Sequence, residues 1–374
     1  MIRLILSVDY EIFGNGSGDV RRDMIEPTRR LLALCGRYGA KLTIMFEVGE
    51  YWAMKQAEEA GSLHVGYSPS RLIEEQIQYA VRRGHDAQLH LHPWWIGATF
   101  EENRWRLHPE WRGISDLPNS VGSRDDPLSA VGVLSRGKQT LESIVRTAHP
   151  EYECLVHRAG SFWGQPSQTL IAGMKQVGLI ADSSVVKGLY EEGPVPMDYR
   201  QAESETGYWW TRADDISLSG PKGKHLIEFP VCSEMKPYLG NFRWTKLRAT
   251  LKLRKHERAN IHGHRMMQAR KSTDSPIRVL KKLCTRQPMK YDFCKLSAGD
   301  MIRWLQRLTR DDRVVAGDLG MPVVMLGHSK DFWNDKNLAL FLSFIRTQCQ
   351  ASVSFSTFGG LAQLIQGRDR NTAK

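Results

Sequence analysis

The sequence is short of the features that commonly assign a chain to a class, and each shortage closes a reading. Six cysteines, Cys35, Cys154, Cys232, Cys284, Cys294 and Cys349, stand far apart with no Cys-x-x-Cys pair. That spacing argues against a thiolate zinc site and against a disulfide framework. No window approaches the ~20 apolar residues of a helical membrane span. The opening run Met1-Ile2-Arg3-Leu4-Ile5-Leu6-Ser7-Val8-Asp9 meets a carboxylate too early for a secretion signal. The expectation is a cytoplasmic protein, at most peripheral to the inner membrane. Internal repeats and low-complexity tracts are missing. Gly14-Asn15-Gly16-Ser17-Gly18 has neither the G-x-G-x-x-G spacing nor the lysine of a phosphate loop, so it reads as a flexible turn.

What is present is an ordinary globular composition, 41% hydrophobic and 25% charged over 374 residues, ample for one large barrel. The net charge of +11 is uneven. Residues 236–290 hold sixteen Lys or Arg against two acids, Glu257 and Asp274, so this stretch carries +14 and the rest −3. Such a block suits a polyanion: anionic lipid headgroups, nucleic acid or a phosphorylated glycolipid. Nucleic acid is the weaker partner, because no nucleic-acid-binding motif accompanies the charge. A solvated insertion is the plain alternative.

Apolar strands alternate with amphipathic stretches, the pattern of a parallel α/β fold. Strands are predicted over Ile2–Val8, Lys41–Val48, the histidine run ending at His92, Cys154–Arg158, Leu179–Ser184, His225–Val231, Pro322–His328 and Ser352–Ser356. Helices are predicted over Thr28–Tyr38, 70–83, 128–147, 166–177, 297–309 and 334–349, with Ser70 as a cap and Gly39 and Gly84 as stops. Polar residues at the carboxyl ends of many strands favour a barrel over a doubly wound sheet. The fold class is therefore a distorted (β/α)7-type barrel in a single domain spanning 1–374. Three insertions interrupt it: 93–127 and 187–222, rich in Trp and Tyr, and the basic 236–290. The aromatics either stack on sugar faces or close the barrel end by packing.

Chemistry concentrates at the strand ends. Residues i and i+2 of a strand share a face, so His90 and His92 point into one cavity, and Pro93 stops the strand there. Two imidazoles held this way suit a divalent ion. Asp9 and Glu11 form a second i, i+2 pair at the same rim, where one carboxylate can bind metal and the other accept a proton. His157-Arg158-Ala159-Gly160, Asp182-Ser183-Ser184 and Leu326-Gly327-His328 end three further strands. Singly, Arg158 is a structural ion pair, Asp182 a loop cap and His328 a strand-end histidine. Together they line one rim.

The order Ser7-Val8-Asp9-Tyr10-Glu11, Gly84-His85 with His90-Leu91-His92-Pro93, Arg158-Ala159-Gly160, Asp182-Ser183-Ser184 and Leu326-Gly327-His328 resembles the five motifs of the NodB-homology polysaccharide deacetylases, carbohydrate esterase family 4. The resemblance covers roughly 1–185 and 320–360. The His-Leu-His-Pro-Trp and Gly-His-Ser-Lys-Asp-Phe runs look like the branch associated with lipopolysaccharide and O-antigen synthesis. The resemblance implies a distorted (β/α)7 barrel and a metal-dependent deacetylase that removes N-acetyl from a sugar of a surface polysaccharide precursor. It implies Asp9 as general base, His328 as general acid, Arg158 orienting Asp9, Asp182 tuning His328, and Glu11, His90 and His92 as ligands of zinc, with cobalt or nickel as alternatives. Two departures stand out: Asp-x-Glu replaces the paired Asp-Asp, and Trp94 occupies the usual second-histidine position, leaving His92 as substitute. The latter motivates a competing reading, a catalytically decayed sugar-binding or assembly protein. Another metal-dependent C–N hydrolase on the same fold is a third. Amidohydrolase-type and histidinol-phosphatase-type barrels are disfavoured because their His-x-His lies on the first strand.

Overall fold

A computed structural model describes residues 1–192, 196–204, 206–237, 285–310 and 319–372, with side chains as far as 367. Strand β1 (Ile2–Tyr10) is its central stave, apolar and buried along nearly its whole length. It runs parallel to β8 (Met321–His328) from Ile2 opposite Met321 to Asp9 opposite His328. Its other edge is shared. β9 (Val353–Phe355) pairs with Ile2–Leu4, and β2 (Leu42–Glu47) with Leu6–Tyr10. Beyond β2 the sheet continues in parallel through β3 (Asp86–Leu91), β4 (Val156–Ala159), β5 (Ala181–Asp182) and β7 (Ile227–Glu228), and β6 (Trp209–Trp210) closes that edge antiparallel.

The sheet curls until its flanks meet. The amide of Val231 donates to Val185 and that of Cys232 to Val324, while Tyr291 donates to Cys232 and Phe293 to Leu326, all at 2.8–3.0 Å. Single hydrogen bonds replace a full ladder in this gap, which makes the α/β barrel a distorted one. Parallel strands put all their carboxyl ends at one rim, and the predicted polar residues are there.

Helices cover the outside for the reason the periodicity suggests. In α1 (Glu26–Tyr38) Leu31, Leu32 and Cys35 face inward, and Gly39 ends it at φ 68°. α3 (Pro69–Arg82) buries Ile73, Ile77, Ala80 and Val81, each large side chain contributing on the order of 1.5–3 kcal/mol. Its cap is Ser68, two residues before the expected Ser70. α4 (Ala130–Arg146), α5 (Ser167–Val177), α6 (Ala298–Thr309) and α7 (Asp335–Gln348) lie where the sequence predicts them. Two helices escape prediction. α2 (Val48–Glu59) buries Val48, Tyr51, Trp52, Ala53 and Met54, residues too evenly spread to show a stripe. α8 (Phe358–Thr372) begins at Phe358, whose ring stands 5.5 Å from the Arg158 guanidinium and fills the barrel beneath it.

Of the loop aromatics, Trp94, Trp95, Trp105 and Trp209 are buried, Trp111, Tyr208 and Trp210 half-buried, and Tyr190 exposed. Packing is the role of most of them. The ends of the basic segment pair as an antiparallel ribbon, Ser233–Pro237 with Arg286–Lys290. Residues 238–284, on which the expected membrane-facing charge falls, lie outside the described residues.

Candidate metal centre

Three strand ends converge. Asp9 and Glu11 leave β1, Glu47 ends β2, and His90 and His92 end β3. Register decides which of them meet: Glu47 is opposite His90, and His90 opposite Arg158. Paired residues of parallel strands share a face, so these side chains all enter the barrel mouth. Ligand atoms of Glu11, Glu47, His90 and His92 lie within 4.8 Å of one another, and all four residues are buried.

Each ligand is aimed by a neighbour. The His90 Nδ1 donates to the carbonyl of Arg158 at 2.9 Å, which leaves Nε2 turned to Glu11 Oε2 at 3.5 Å. That Nε2 is buried without a hydrogen-bond partner. The His92 Nδ1 lies 2.7 Å from Glu47 Oε2 and 3.2 Å from Glu11 Oε2. Glu47 Oε1 accepts the amides of Gly49 and Glu50, so the same carboxylate caps α2. Glu11 Oε1 accepts from Lys330 Nζ at 2.7 Å.

The charges fit a cation. Burial raises Glu11, yet Lys330 and His92 outweigh it and hold the carboxyl well below its ordinary value. Burial lowers His90, but Asp9, Glu11 and Glu47 reverse this and raise it to about 9. Crowded carboxylates thus demand positive charge between them. Two imidazole nitrogens and two carboxylate oxygens form a donor set suited to zinc and neighbouring divalent metals, and the orphaned Nε2 of His90 is the atom such an ion would satisfy.

Two glycines make room. A methyl group built on Gly160 would come within 2.8 Å of His92 Nε2 and closer still to the ring carbons, so the residue after Arg158-Ala159 must be glycine for His92 to stand where it does. Gly49 packs similarly on Trp95 and Glu47. Trp94 lies on the His92 ring, with centroids 4.2 Å apart and planes at 36°. It supplies packing, and Glu47 is the fourth member of the candidate cluster.

Beside the quartet stands the Asp9–His328 pair, Oδ2 to Nε2 at 3.5 Å. Arg158 Nη1 donates to Asp9 Oδ1 at 2.6 Å, while its other nitrogens bond Ser7 and Ser183. Burial raises Asp9, and Arg158, His90 and His328 override it, so the carboxylate stays ionised. Burial lowers His328 while Asp9 and Asp331 raise it, with a net fall. The imidazole rests neutral.

Asp182 sits elsewhere. It is in register with His157 and not Arg158, hence on the opposite face, where its Oδ2 meets His157 Nδ1 at 2.8 Å and Oδ1 accepts the Ser184 amide. The carboxylates acting on His328 are Asp9 and Asp331. Asp182 also raises the buried Glu228 carboxyl, after burial itself, well above the ordinary range. Glu47, Lys330 and Asp331 are the site residues that sequence reasoning missed. Glu47 carried the same signal as Asp9, a carboxylate at the carboxyl end of an apolar strand. Lys330 and Asp331 lay within the quoted Gly-His-Ser-Lys-Asp-Phe run without a role.

No family model matches the chain, and no curated protein matches it. Solved structures do. A protein of Mycobacterium smegmatis assigned as a polysaccharide deacetylase is 13% identical at TM-score 0.45, over 98% of this chain and 90% of that one. The PuuE allantoinase is 10% identical at TM-score 0.42, over 97% and 88%. A branching enzyme of type GH57 from Pyrococcus horikoshii is 11% identical at TM-score 0.44, over 96% and 69%. Similarity at this level fixes neither family nor reaction, so the chemistry is taken from the chain's own side chains.

Proposed function

We propose that the chain is a metal-dependent hydrolase that removes the N-acetyl group from a sugar of a surface polysaccharide precursor, as the motif resemblance implies. One observation carries the reading: a four-ligand cluster of Glu11, Glu47, His90 and His92 adjoins a separate acid–base pair, Asp9 and His328, 3.5 Å apart. Amide hydrolysis needs both parts, because a poor electrophile and a poor leaving group must be activated together. A bound divalent ion, zinc first and cobalt or nickel after it, supplies a Lewis acid that acidifies water and polarises the acyl oxygen.

The chain's residues do the proton work. Asp9, fixed at Oδ1 by Arg158, offers Oδ2 to the attacking water and takes its proton as the oxygen–carbon bond forms. His328 rests neutral and must be protonated before it can donate; Asp9 Oδ2 is within reach to pass that proton on. His328 then gives it to the amine as the carbon–nitrogen bond breaks, leaving acetate and a free amino sugar. Asp331 favours the imidazolium in between. In this reading Asp182 serves His157 and the barrel wall. Glu47 supplies the donor that Trp94 does not, which speaks against a decayed site.

The test is acetate release from N-acetylhexosamine glycolipids. Wild type should turn over, and Asp9→Asn should fall by about 10²–10⁴ with its bound metal retained. Equal rates in the two would end the proposal.

A further inference from the structure

Several carboxylates near the rim are paired with an arginine or a lysine. Asp9 has Arg158, Glu11 has Lys330, and Asp292 and Asp331 share Lys295 at 3.3 and 3.0 Å. Lys290 makes no ion pair among the described residues; its Nζ stands 4.1 Å from the centroid of the Phe162 ring.

The placement of Lys290 follows from the closing strand. It ends the ribbon strand opposite Ser233, and the next residue, Tyr291, is hydrogen-bonded between Cys232 and Leu326 in the gap of the barrel. Tyr291 turns outward to stack on Trp304 of α6 at 4.6 Å. Lys290 is turned to the site, close enough for Asp292 and Asp9 to act on its charge. There Phe162 lies beneath its ammonium. It belongs to the turn after β4, where Ser161 and Phe162 both hold positive φ, 50° and 64°. Side-chain-bearing residues rarely occupy that region, and consecutive ones store strain of the kind found around ligands. The same short segment carries Arg158 against Asp9 and Gly160 against His92. So the strained turn holds the base, a metal ligand and the ring beneath Lys290 in one piece. Burial is the first cause that lowers Lys290, to about 8, while Asp292, Asp9 and Glu191 pull it upward.

We propose that Lys290 is a specificity residue, its ammonium held over Phe162 to receive an anionic group, carboxylate or phosphate, borne by the sugar whose acyl group reaches Asp9 and His328. This rests on the hydrolase reading and narrows its substrate to acidic N-acyl sugars. With Arg158 and Lys330 already neutralised by Asp9 and Glu11, a loaded site presents net positive charge, and a neutral sugar offers the half-buried Lys290 no opposite charge.

The experiment measures dissociation constants by calorimetry for three probes: N-acetylglucosamine, N-acetylglucosamine 1-phosphate and N-acetylmuramic acid. Wild-type, metal-loaded protein should bind at least one charged probe about tenfold or more tighter than the neutral one, and the stronger of the two identifies phosphate or carboxylate. Lys290→Met should abolish that preference and Lys290→Arg should keep most of it, with circular dichroism and metal content matching wild type. Equal binding of charged and neutral probes by wild type, or a preference that survives in Lys290→Met, overturns the assignment. The wild-type comparison stands even if a variant does not fold. Acetate released without charge preference would sink Lys290 and spare the reaction; charge-selective binding without acetate from any probe would do the reverse.

Discussion

Glu47 Oε2 lies 2.7 Å from the ring nitrogen of His92 and 2.8 Å from its backbone amide. One carboxylate at the end of β2 thus fixes both the side chain and the chain direction of a ligand on β3, while its second oxygen caps the helix that follows. A place in the candidate metal cluster, strand termination and helix initiation meet in a single residue.

Replacing Glu47 by Ala should therefore do two separable things. Loss of the cap should cost about 1 kcal/mol even in metal-free protein, read as a shifted denaturation midpoint. Affinity for zinc should fall by at least ~10-fold, read by chelator competition. Wild type stripped of metal should melt lower and recover on adding Zn²⁺, Co²⁺ or Ni²⁺, because a ligand that binds only the folded chain stabilises it. The Ala variant should recover little.

Gly160→Ala adds one methyl group where His92 stands. The ring must move, so metal content after gel filtration should drop although no ligand has been changed. A crystal structure of the variant showing His92 unmoved would contradict this.

The two acidic candidates for tuning His328 separate by pH profile. Asp331 raises His328, so Asp331→Asn lowers its pKa further and the limb of the kcat profile set by His328 should shift to lower pH. Asp182→Ala should leave that limb in place and instead cost about 1–3 kcal/mol of stability, because the buried His157 loses its partner. An unmoved limb in Asp331→Asn would reassign the role.

His85 gives the fold a measurable acid sensitivity. Its Nδ1 accepts the amide of Leu42 at 3.1 Å, which requires an unprotonated nitrogen, and burial, with Lys41 and Arg83 nearby, lowers its pKa from 6.5 to about 4. The folded chain then binds fewer protons than the unfolded one between those values. Stability should be fully present above pH 6.5 and decline as pH falls toward 4, by on the order of 3 kcal/mol. A His85→Asn chain, with no imidazole to charge, should lack that part of the slope in a series of urea titrations.

Period-two spacing is a local property of the backbone, so the amino-acid order alone determined that Asp9 faces with Glu11 and His90 with His92, and that Pro93 ends their strand. The outer helices were legible for the same reason, their stripes in α1 and α3 being wide and one-sided. α2 was not, since its buried residues surround it. Which side chains of different strands meet depends on register and curl, and these follow from packing the whole barrel. Only the tertiary structure could place Glu47 beside His92, turn Asp182 to the face of His157, and bring Lys290 over Phe162. A one-residue difference in register reverses every facing along a strand, and nothing within β5 itself states which way its two residues must look.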